Sequence, residues 1–171
     1  MFGVFSSEEV RWGTFKPEMR SRDVTFSHVF HIVRDPPSAI ASIVTESTVS
    51  EAFRRKHVMI YEKSNPIERA VQSYMGWNKL ISGQQPNQVV PLENAYEMVR
   101  DYLQKNDFTI SQNVRLPPNN FNSRQHLASY PKIGMREIEE SISKELFHEF
   151  GRQVKAYKAL GPRKGKDSKT W

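Results

Sequence analysis

The chain has 171 residues, 37% of them hydrophobic and 26% charged, with a formal net charge of +6. That length is about one domain, and a mean hydropathy of −0.65 with a pI near 9.6 points to acidic partners: a phosphate-bearing small molecule, nucleic acid or an anionic surface. There is no cysteine, which excludes disulfides, thiolate catalysis and Cys-based zinc sites.

The opening MFGVFSSEEVRW has neither the basic region nor the long apolar run of a signal peptide. No stretch approaches the ~18 apolar residues that a membrane helix needs. The sequence therefore reads as that of a soluble, cytoplasmic protein.

The first clear element is VFHIVR, residues 29–34, a short run rich in β-branched residues that predicts a buried strand. Pro36 and Pro37 forbid its continuation and suit the first turn of a helix. Ala39, Ile40, Ile43 and Val44 then form one apolar face. Residues 29–46 read as strand, tight turn and helix, half of a βαβ unit.

EAFRRKHVMIYEK (51–63) is mixed and helical in part. In SNPIERAVQSYMGWNKLISG, Asn65 caps, Pro66 takes the first helical position and Glu68 supplies first-turn acid. Ile67, Val71, Tyr74, Met75, Asn78 and Ile81 mark the inward side, and Gly83 closes the helix. NQVVPLE (87–93) is a second strand weakened by Pro91, followed by the helix NAYEMVRDYLQK with Tyr96, Val99 and Leu103 along one stripe. Residues 113–131, dense in Pro and Asn, read as loop.

The last helix runs from about Arg136 to Leu160, in one or two pieces. Leu146, Phe150, Val154 and Tyr157 face inward, and Gly161-Pro162 stop it. Residues 162–171, with Arg163, Lys164, Lys166 and Lys169 against Asp167, form a basic tail expected to be flexible. The order predicts an α/β fold, but with only two convincing strands. Either weaker strands lie near residues 10–26, or the chain holds part of a larger fold.

The chemistry concentrates at Arg34. It lies at the carboxyl end of the first strand, where open α/β sheets place ligands, and the next helix aims its N–H groups at the same spot. An Arg fork matches phosphate oxygens, and Ser38 or Ser42 could donate a further bond. The reading without a ligand pairs Arg34 with Asp35 or a helix carboxylate and lets Ser42 fill a packing space. His28 and His31 read as hydrogen-bonded structural residues. Trp77-Asn78 read as core plus an interior amide that fixes a neighbouring loop. NNFNSR (119–124) offers amides, a hydroxyl and Arg124 on a loop. No metal-ligating spacing and no Gly-rich phosphate loop is found.

RDPPSAIAS, Arg34 through Ser42, is similar to the 3′-phosphate-binding segment of sulfotransferases that use 3′-phosphoadenosine-5′-phosphosulfate (PAPS), where an Arg at a strand end and a Ser eight positions later hold the phosphate. NPIERAVQSYMGWNKLI, then VVPLENAYEMVRDYL, then NSRQH and AYKALG resemble the distal half of that family, over roughly residues 25–161.

The resemblance implies a partial P-loop-like sulfotransferase domain over residues 1–161, with few parallel strands and flanking helices. Arg34, Ser42 and Arg124 would bind the cofactor PAPS, without a metal, and the acceptor would be a hydroxyl or amine. The family's 5′-phosphosulfate loop and catalytic base have no counterpart before Arg34, so weak or absent turnover is expected. The alternatives are a non-catalytic nucleotide-binding relative of the fold or, less favoured, a nucleic-acid binder using Arg54, Arg55 and Lys56.

Overall fold

The computed structural model describes residues 28–46, 48–109 and 131–161. The expectations placed on residues 10–26, on Arg124 and its loop, and on the basic tail lie outside these residues. Among the described residues, six α-helices surround a two-stranded parallel sheet. This is the mixed α/β arrangement that the pattern predicts.

Strand β1 (Phe30–Val33) pairs in parallel with β2 (Gln88–Pro91), with Phe30 opposite Gln88 and Val33 opposite Pro91. Pro91 is tolerated because it is the last residue of its strand. Between the strands lie α1 (Pro36–Val44), α2 (Thr48–Arg55) and α3 (Pro66–Ser82). A short 3₁₀ turn (Leu92–Asn94) leads from β2 into α4 (Ala95–Lys105).

The predicted C-terminal helix is two, α5 (Met135–Ser141) and α6 (Lys144–Ala159). The break falls where Ile142 and Ser143 turn extended and the Ser143 hydroxyl accepts the Leu146 N–H at 3.2 Å, starting a new helix. Gly161 follows α6 with φ +65, a conformation that glycine adopts without steric cost.

The core is built by α1, α3, α5 and α6. Ile40, Val71, Ile138 and Phe150 are fully buried there, and Val90 is fully buried on β2. Helix α3 is the central post. Asn65 caps it by accepting the Glu68 N–H at 2.9 Å, and Ala70, Val71, Ser73, Tyr74, Met75 and Ile81 are buried. Its Gly76 is demanded by packing: a Cβ there would stand 2.8 Å from Val58 Cβ. Gly83 does close α3, but in the right-handed conformation with φ −64.

Two expectations need correction. Tyr96 does not join the inward stripe of α4. It is 40% exposed, and the contact to β1 is made by Tyr102, whose ring meets Phe30 edge-on at 5.1 Å. Two of the three residues of the basic cluster, Arg54 and Arg55, are answered by carboxylates, while Lys56 is exposed. Arg54 pairs with Glu46, Arg55 with Glu51 and Glu62, and Arg69 with Glu51.

Candidate functional site

Arg34 follows directly on β1 and is half-buried, at the carboxyl end of the sheet. The parallel register sets the residues after β2, Leu92 and Glu93, beside it. Asp35 does not pair with it. Its carboxylate caps α1, accepting the Ser38 N–H at 3.1 Å and the Ser38 hydroxyl at 2.7 Å. Among the described residues no carboxylate forms an ion pair with Arg34.

The same cap corrects the expected contribution of the helix. Pro36 and Pro37 occupy the first two positions of α1 and have no N–H. The next two donors are already engaged, Ser38 by the Asp35 side chain and Ala39 by the Asp35 carbonyl at 2.8 Å. The first turn therefore offers no N–H to a ligand, and a carboxylate already sits against the helix dipole. An anion here must be held by side chains.

That requirement separates the two serines. The Ser38 hydroxyl is bonded to Asp35. Ser42 lies one turn farther along α1, half-buried. Its carbonyl accepts from Thr45 Oγ1 at 2.8 Å, while its hydroxyl has no hydrogen bond among the described residues. Arg34 and Ser42 thus share one strand–helix unit, and neither side chain has a hydrogen-bond or ion-pair partner among the described residues. Arg124 lies outside the described residues.

Two buried tyrosines fasten the strand ends. From α3, the Tyr74 hydroxyl donates to the Arg34 carbonyl at 3.3 Å. From α6, the Tyr157 hydroxyl donates to Glu93 at 2.7 Å. Burial pushes the Tyr74 phenol up to about 12, with the charge of Asp35 adding to the shift against an opposing hydrogen bond from Asn78. Burial, then the bond to Glu93, raises that of Tyr157. Both remain donors at neutral pH.

A cleft of about 1150 Å³ adjoins these groups between the sheet face, α3 and α6, with Val33, Tyr74, Tyr157 and Leu160 at the strand-end side. His31 also lines it. Its Nε2 meets Asn78 Oδ1 at 3.0 Å, and Asn78 Nδ2 donates to Gln153 Oε1 at 3.2 Å. Since Oδ1 only accepts, the His31 proton sits on Nε2. The other ring nitrogen, Nδ1, is buried and has no hydrogen-bond partner among the described residues. Burial holds the His31 pKa below its ordinary value, against a smaller opposite effect of the Asn78 bond.

His31 is thus a hydrogen-bonded structural residue, as its place on a strand predicts. Asn78 fixes a strand and a helix rather than a loop. Trp77 is half-buried against Phe53 and His57 and does not join the core. The Tyr157–Glu93 bond escaped sequence reading. Its only signal was that Tyr157 lay on a predicted inward stripe while Glu93 ended a predicted strand.

Fold and site together define a mixed α/β protein with a guanidinium, unpaired among the described residues, at the carboxyl end of a parallel strand. Comparison with protein-family models, with curated proteins and with solved structures finds no match.

Proposed function

We propose that this chain is a sulfotransferase-like protein that binds the 3′-phosphate of PAPS, or of its product adenosine 3′,5′-bisphosphate, through Arg34 and Ser42. Bound, PAPS supplies an activated sulfuryl group for a hydroxyl or amine acceptor. The single observation behind the reading is the half-buried Arg34 at the end of β1, unpaired among the described residues because its neighbour Asp35 caps α1 instead. Arg34 grips the phosphate oxygens as a planar fork, and Ser42 donates one more bond.

Binding without efficient turnover is the form of this activity that the sequence favours. Sulfuryl transfer needs donors around the transferred group, and no Gly-rich phosphate loop occurs in the chain. A 3′-phosphate site by itself gives affinity rather than rate.

Calorimetric titration with adenosine 3′,5′-bisphosphate tests the reading. Arg34→Ala removes a charge-assisted contact and weakens binding by about 1.5–3 kcal/mol, with Ser42→Ala smaller in the same direction. Equal affinity of wild type and Arg34→Ala rules the reading out.

A further inference from the structure

We propose that Tyr74 is the positioning residue of the anion site, an assignment that rests on the Arg34 reading above. Tyr74 acts through the main chain. It holds the backbone from which the Arg34 side chain springs.

Arg34 stands between the last residue of β1 and the cap of α1, where the chain turns and ladder bonds cease. Its carbonyl is fastened by the Tyr74 hydroxyl from α3, 40 residues away in sequence, at 3.3 Å. Tyr74 as a whole is 9% exposed. It packs edge-on against Phe150 of α6, itself fully buried, with centroids 6.1 Å apart. The Arg34 peptide is therefore tied through one aromatic ring to the rigid α3–α6 core, while the cap at Asp35 fixes the following residue. A guanidinium on a long side chain gives directed phosphate bonds only if its base is held.

Tyr74→Phe deletes the hydroxyl and keeps the ring, so the core contact with Phe150 persists. What changes is the freedom of the Arg34 backbone. The effect belongs to the ligand group that Arg34 touches and is absent for a ligand without that group. Adenosine 5′-monophosphate, which lacks the 3′-phosphate, supplies that comparison.

The experiment titrates adenosine 3′,5′-bisphosphate and adenosine 5′-monophosphate into wild type, Tyr74→Phe and Arg34→Ala, with thermal melts of each. Tyr74→Phe should bind the bisphosphate roughly 3- to 10-fold more weakly, bind the monophosphate as wild type does, and melt near the wild-type temperature. Should Tyr74→Phe fail to fold, the same titrations of all three proteins in sucrose, which favours the folded state, carry the test. Equal weakening toward both nucleotides marks Tyr74 as merely structural and overturns the assignment. So does unchanged bisphosphate affinity in Tyr74→Phe while Arg34→Ala loses it. If Arg34→Ala also binds normally, or the wild-type chain does not bind the bisphosphate, the underlying reading fails and this assignment with it.

Discussion

At the scale of single residues, burial decides which groups remain available for chemistry. His31 is 3% exposed, with one nitrogen bonded to Asn78 and the other without a partner among the described residues. Protonation would add an N–H at Nδ1 with no acceptor, in a site that already disfavours charge. The folded-state pKa therefore lies below that of the unfolded chain, near 6.5. The unfolded chain takes up the proton first as pH falls. The contribution of His31 is complete above about pH 6.5 and is lost as pH drops toward the folded value. Urea unfolding at pH 8, 7, 6 and 5 should show wild type losing stability on the acid side relative to His31→Gln, whose amide can still donate to Asn78 but does not titrate. Parallel pH profiles for the two proteins would refute this account. At Arg34 the question is the partner, and its neighbour Asp35 is engaged elsewhere as the cap of α1.

At the scale of elements, local sequence rules held wherever one short segment contained the whole cause. Asn65 with Pro66 starts α3, Asp35 with two prolines starts α1, and the β-branched run of β1 stops at those prolines. What escaped depends on contacts between distant segments. The His31–Asn78–Gln153 chain joins residues 47 and 75 positions apart, and no periodicity encodes such a meeting. The turn of α1 shows the opposite failure: its helix was legible, yet the same prolines that announce it remove the N–H donors a helix start normally presents. Gly76 is a further case, a glycine inside a helix that local propensity disfavours. Alanine there would gain up to ~1 kcal/mol of propensity, but its Cβ would sit 2.8 Å from Val58 Cβ, an atom held close to the backbone. Overpacking of this kind costs about 1–3 kcal/mol, so Gly76→Ala should lower the urea midpoint, and should lower it less when made in a Val58→Gly background, where that Cβ is gone. A midpoint raised by Gly76→Ala alone would mean that α3 and residue 58 are not in contact.

At the scale of the whole molecule, the net charge of +6 is a poorer guide than the fate of individual cations. Much of the positive charge around α2 is answered by Glu46, Glu51 and Glu62, which weakens the case for a nucleic-acid face. Arg34 is set apart because it is half-buried, unpaired among the described residues and tied to the core through Tyr74. A ligand held by Arg34 and Ser42 would join the end of β1 to α1, and binding must then stabilise the folded chain. At a concentration 100 times its Kd, a ligand specific to the folded state adds about 2.7 kcal/mol. Adenosine 3′,5′-bisphosphate should therefore raise the melting temperature of wild type in a dose-dependent way. In Arg34→Ala, with binding weakened by ~1.5–3 kcal/mol, the same dose adds only about 0.3–1.3 kcal/mol, and most of the shift disappears. Stabilisation of both proteins by the same amount would place the nucleotide somewhere other than the end of β1.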